Sequence, residues 1–125
     1  PDGHLVLRGG SNGTNYDCDS VSKIVQELSE SGSVDKVMID CSHGNSNKDF
    51  RQQSNVLRDI ANQVREDSSY IMGVMLESHL VEGNQKLSKD LSKLTYGQSI
   101  TDACIDIKTT ENLLEQLAME IKLTN

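Results

Sequence analysis

Lys36-Val37-Met38-Ile39-Asp40-Cys41 is the stretch that decides the fold. Its apolar character is almost continuous, as expected of a parallel strand covered on both faces. Upstream, Val21, Ile24, Val25 and Leu28 follow the i, i+3, i+4, i+7 spacing of an amphipathic helix. Ser20 or Asp19 can cap that helix and Gly32 can end it. Earlier still, His4 to Leu7 predicts a short strand that runs into Arg8-Gly9-Gly10 and a loop from Ser11 to Asp19. Downstream, Asn45-Ser46-Asn47 offers N-caps, and Leu57, Ile60, Ala61 and Val64 mark a second helix. Ile71 to Leu76 reads as a third strand ending at Glu77. Strands alternating with helices in this way imply parallel pairing through helical crossovers.

From Ser78 to about Lys108 the periodicity is weak, which predicts a long loop of the kind that usually carries function. Leu113, Leu114, Leu117, Ala118 and Ile121 then mark a final helix, with Thr109 or Thr110 as its cap. Two α/β architectures fit this order: a small open sheet, or a piece of a (β/α)8 barrel. In both, ligands gather where the strands end. Those ends carry Arg8, His43 and Glu77.

Composition narrows the function classes. The 125 residues suffice for one domain, and 35% hydrophobic with 25% charged residues describes a globular chain. With one Phe and no Trp, the core rests on Leu, Ile, Val and Met. A formal net charge of −7 argues against nucleic acid as a partner. The apolar runs are too short to span a bilayer, so no membrane partner is expected. The chain opens Pro1-Asp2-Gly3-His4 with neither an initiator Met nor a signal peptide, so the natural start is expected upstream or removed. Cys18, Cys41 and Cys104 form no CxxC pair, and their odd number fits free thiols in a reducing, cytoplasmic setting.

Each polar candidate has a functional and a structural reading. His43, just past the second strand, is either a ligand or a surface or capping residue. Glu77, closing an apolar run, is expected to be partly buried and so to need a partner or a metal. Asp102, in Ser99-Ile100-Thr101-Asp102-Ala103-Cys104, is a turn residue or a third ligand. One imidazole and two carboxylates would suit a divalent ion such as Mn, Fe or Zn. Arg8 offers a fork for phosphate or carboxylate oxygens, and Gly9-Gly10 leaves backbone N–H groups open to an anion. His79, Glu82, Lys86, Lys89 and Lys93 read as solvated loop residues.

Four longer strings resemble the class I 3-deoxy-D-arabino-heptulosonate-7-phosphate (DAHP) synthases. They are Leu5-Val6-Leu7-Arg8-Gly9-Gly10 with Thr14-Asn15-Tyr16, and Val37-Met38-Ile39-Asp40 through Ser42-His43-Gly44-Asn45-Ser46. Gly73-Val74-Met75-Leu76-Glu77-Ser78-His79-Leu80-Val81-Glu82-Gly83-Asn84-Gln85 and Tyr96-Gly97-Gln98-Ser99-Ile100-Thr101-Asp102-Ala103-Cys104-Ile105 complete the set, in the family's order. Cys41 stands where the family commonly has an aromatic residue, and Asp106-Ile107 replaces a frequent Gly-Trp. The resemblance implies that residues 1–125 are the C-terminal part of one (β/α)8 TIM-barrel catalytic domain, about three βα units, with the N-terminal part absent. It also implies a metal-dependent condensation of phosphoenolpyruvate with erythrose 4-phosphate that releases phosphate and opens the shikimate route to aromatic amino acids.

By the same likeness His43, Glu77 and Asp102 are three of four metal ligands, the fourth being an upstream cysteine matched by none of the three here. Arg8 matches an arginine that contacts phosphoenolpyruvate. The intact enzyme is expected to be a homo-oligomer. A barrel needs about 250 residues, so the chain alone is expected to be inactive or to act only as an anion- or metal-binding module.

Overall fold

The apolar stretch at Val37 becomes the centre of a three-stranded parallel sheet in the computed structural model, which describes residues 3–66 and 69–123. Pro1 and Asp2 of the opening stretch lie outside them. β1 (Leu5–Leu7), α1 (Cys18–Glu30), β2 (Val37–Asp40), α2 (Gln53–Arg65) and β3 (Ile71–Met75) follow in chain order. The sheet order is β1-β2-β3, with Leu7 beside Ile39 and Ile39 beside Val74. All three strands therefore end on the same side, as expected. β3 stops one residue short of the expected Leu76.

Leu7, Val37 and Ile39 of the sheet pack against Val21 and Val25 of α1 and Val56, Leu57 and Ile60 of α2. The spacing that marked both helices thus faces one common core. The opposite face presents Val6 and Met75, each 38% exposed.

The helix ends differ from expectation. α1 is capped by Asp17, whose carboxylate accepts from Ser20 N at 2.9 Å, not by Asp19 or Ser20. That bond holds the Asp17 carboxyl below its ordinary value. Asp19 instead lies in the first turn, where a negative charge meets the positive helix end. Gly32 ends α1 as expected: at φ 71° it lets its own N–H and that of Ser33 return to the Ser29 and Leu28 carbonyls, both at 3.0 Å. Asn45, Ser46 and Asn47 do not cap α2. A 3-10 turn, Phe50–Gln52, leads into it, and Asp49 caps that turn by accepting from Arg51 N at 3.1 Å.

The long loop expected after Glu77 contains four short strands, β4 (Ser78–His79), β5 (Val81–Asn84), β6 (Gln98–Ser99) and β7 (Ile105–Asp106), while residues 85–97 remain irregular apart from a 3-10 turn at Leu91–Lys93. β4 pairs with β7 and β5 with β6, both in parallel. Strands of two to four residues are too short to show a period, which is why the sequence pattern reads as loop. α3 (Ile107–Leu123) starts before Thr109 and Thr110, so neither is its cap. The Asp106 carboxylate takes that place, accepting from Thr109 N at 2.7 Å, and the bond holds its carboxyl below the ordinary value. α3 packs on α2, placing Leu113 in the core. No helix among the described residues is long and apolar enough to cross a membrane.

Candidate metal centre

The ends of β1, β2 and β3 open into a cleft of about 690 Å³ lined by Arg8, His43, Glu77 and Asp102. All four residues singled out in the sequence therefore share one mouth. One ligand atom each from His43, Glu77 and Asp102 lies within 4.8 Å of the others. His43 and Glu77 are half-buried while Asp102 is exposed on a bend before β7. An imidazole nitrogen with two carboxylate oxygens is a donor set that divalent first-row metals accept.

Each side chain is held by its own local structure. His43 follows β2 in a tight turn and sits at φ 48°, in the left-handed region that side chains seldom adopt. Its Nδ1 lies 2.7 Å from Asp40 Oδ2, and its Nε2 lies 3.6 Å from Glu77 Oε1. Ser42 Oγ donates to Glu77 Oε2. Gln53, the fully buried first residue of α2, grips the Glu77 backbone twice: its Oε1 accepts from Glu77 N at 2.8 Å and its Nε2 donates to Glu77 O at 3.1 Å. This side-chain clamp stands between β3 and β4, so the main chain is still satisfied where the strand breaks.

The cleft's other half is polar and cationic. Gly9, at φ 70°, bonds through its N–H to Asn15 Oδ1 at 2.8 Å. A Cβ placed on Gly9 would lie 2.5 Å from the Gly44 carbonyl carbon, so only glycine permits the two loops to touch. Asn45 cements this contact. Its buried amide donates to Leu7 O at 3.0 Å and Asp40 O at 2.9 Å, and its Oδ1 accepts from Asn15 N at 2.8 Å. Lys48, at φ 62°, adds a second cation to the lining beside Arg8, and Phe50 forms an apolar wall.

Sequence pattern alone missed Asp40, Ser42, Gln53, Lys48 and Phe50, and it treated Asn45 only as a helix cap. An acidic residue at the end of a buried strand, three positions before His43, is the one signal that could have been read. His79 and Glu82 are exposed, as expected, and Glu82 pairs with Arg51 at 3.3 Å. All three cysteines are free thiols. Burial and then the Asp40 charge push the Cys41 thiol up to about 12. Burial, then the Glu77 charge, raises that of Cys104.

Comparison with known proteins identifies the family. The family described as "DAHP synthetase I family" matches residues 1–115. The chain is 48% identical over 117 residues to a phospho-2-dehydro-3-deoxyheptonate aldolase of Haemophilus influenzae, covering 94% of this chain and 32% of that protein. It is 46% identical over 127 residues to the phenylalanine-inhibited aldolase of Saccharomyces cerevisiae, covering 97% and 34%. A solved phospho-2-dehydro-3-deoxyheptonate aldolase from Francisella tularensis superposes with a TM-score of 0.94 at 46% identity, over 99% of this chain and 36% of that one. The chain thus spans about a third of the length of these relatives.

Proposed function

This chain belongs to the DAHP synthetase I family, and from that membership we propose that it supplies the metal centre and part of the phosphoenolpyruvate site of a DAHP synthase. The observation that carries the reading is the convergence of His43, Glu77 and Asp102 within 4.8 Å at the strand ends, beside Arg8. The reaction joins phosphoenolpyruvate to erythrose 4-phosphate and releases phosphate.

The fold supports a (β/α)8 barrel as the complete domain. Parallel sheets are ordinarily covered on both faces, yet Val6 and Met75 are exposed on one of them. The remaining strands, in a part N-terminal to this one, would cover that face and supply the fourth ligand. A cytoplasmic location fits the free thiols.

When bound, a divalent cation supplies Lewis-acid polarisation of the sugar aldehyde oxygen. His43 Nε2, Glu77 Oε1 and an Asp102 carboxylate oxygen would hold it. Ser42 Oγ donates to the other Glu77 oxygen, and Gln53 fixes the main chain from which Glu77 projects. The Arg8 guanidinium would grip phosphoenolpyruvate oxygens and fix its approach, since a planar fork binds such groups in two places. Glu77→Ala is expected to abolish metal-dependent turnover in the intact gene product, measured as phosphoenolpyruvate consumption with erythrose 4-phosphate and Mn²⁺. Undiminished turnover would sink the assignment. The same assay on the 125-residue chain alone is expected to give none.

A further inference from the structure

A histidine can offer a metal only the ring nitrogen that does not carry the proton, and another group must decide which nitrogen that is. Asp40 is placed to decide it for His43. Its side chain is 1% exposed at the end of β2, and both carboxylate oxygens are used. Oδ1 accepts from Ser42 N at 2.8 Å, and Oδ2 lies 2.7 Å from His43 Nδ1. A carboxylate is an acceptor only, so the shared proton sits on Nδ1. The free electron pair is then on Nε2, the atom 3.6 Å from Glu77 Oε1.

We propose that Asp40 is a positioning residue that locks His43 in its Nδ1–H form, so that Nε2 is the atom presented to the cation shared with Glu77 and Asp102. This rests on the metal-centre reading above. The backbone contributes to the same end. The left-handed turn at His43, φ 48°, brings its ring back over the strand end it has just left. The main-chain bond from Ser42 N keeps the carboxylate from rotating away. A carboxylate–histidine–metal chain of this kind typically supports a 10- to 100-fold share of metal affinity.

The protein contains its own reference for the test. His79 is exposed and accepts from Leu80 N through Nδ1 at 2.8 Å, so its proton sits on Nε2, the opposite arrangement. Imidazole ¹⁵N shifts of the metal-free intact protein, recorded at a pH where His43 is neutral, should therefore show the two residues as opposite tautomers. His43 carrying its proton on Nε2 overturns the proposal outright, and this measurement needs no variant at Asp40 to fold. In Asp40→Asn, the His43 ring is expected to lose its fixed Nδ1–H signature while His79 keeps its own. Mn²⁺ affinity, titrated without substrate, should fall by about 10- to 100-fold. Retention of both tautomer and affinity in that variant, while His43→Gln loses Mn²⁺, defeats the positioning role alone. Undiminished Mn²⁺ binding in both His43→Gln and Glu77→Gln defeats the metal-centre reading, and the positioning proposal with it.

Discussion

From Leu5 to Leu76 the chain is held by apolar burial, with Val37, Ile39 and Ile60 at 0% exposure. From Glu77 to Asp106 it is held by short backbone ladders and by polar side chains that bond to backbone, with Ile105 reaching the core. Gln85 alone accepts from Thr95 N at 2.8 Å and donates to the carbonyls of Thr95 and Gln98 at 2.8 and 3.0 Å. Asn84 and Gln98 do the same for Thr101 O and Glu82 O, each at 2.8 Å. Over the same stretch Leu87, Leu91 and Tyr96 stay exposed. The candidate site takes His43 from the first region and Asp102 from the second, with Glu77 at the junction. The first region thus carries His43, the second carries Asp102, and Gln53 of the first region clamps the Glu77 backbone between them.

This contrast makes ordered predictions for the intact protein. The largest effect belongs to Leu57→Ala, which empties a site 1% exposed in the core. It is expected to cost about 2–5 kcal/mol, read from the urea midpoint. A cost below about 1 kcal/mol would mean that the first region is not held mainly by packing. Gln85→Ala comes next. It removes three bonds to Thr95 and Gln98, two of them solvent-exposed, and should cost about 0.5–1.5 kcal/mol. Amide exchange should quicken between Gln85 and Ser99 while the core strands stay protected. Equal quickening in both regions would erase the distinction.

Asp17→Ala removes the cap of α1 and should cost about 1 kcal/mol at neutral pH. The sign with pH follows from the bond to Ser20, which lowers the Asp17 carboxyl in the folded state. Its stabilisation is therefore complete above the ordinary value of 3.8 and is lost as the pH falls through the lower folded value. The gap between Asp17→Ala and the parent should close on acidification; a gap that widened would overturn the capping role. The smallest effect is expected from Tyr96→Ser, because that side chain is 89% exposed. Its urea midpoint should correspond to a change within about 0.5 kcal/mol. A larger loss would reveal a contact made by Tyr96 in the intact protein.

The frame was legible because its residues repeat. Val21, Ile24, Val25 and Leu28 could be placed on one helix face, and Val37 to Cys41 on a covered strand, from spacing alone. Asp17 was missed because Asp17, Asp19 and Ser20 are equally good caps by type, and only the backbone geometry chooses among them. The strands after Glu77 were not legible, since pairs such as Gln98-Ser99 have no period to detect. His43 and Glu77 were suggested by their position at strand ends. Asp102 was a candidate third ligand only by residue type, with a turn residue as its alternative; the resemblance, not its spacing, added it to the set. Asp40 and Gln53 escaped notice because their importance lies in which atoms they touch, and spacing does not encode that.

The contact between Gly9 and Gly44 has a mechanical meaning. Asn45 N donates to Arg8 O at 3.2 Å across it, so the residue before Gly9 and the turn that carries His43 are spliced into one unit. An anion held by Arg8 and a cation held by His43, as proposed above, would therefore act on a single lever. Whatever free energy one contributes to the other's binding must be returned in equal measure, so two ligands that never touch would still bind as a thermodynamic pair.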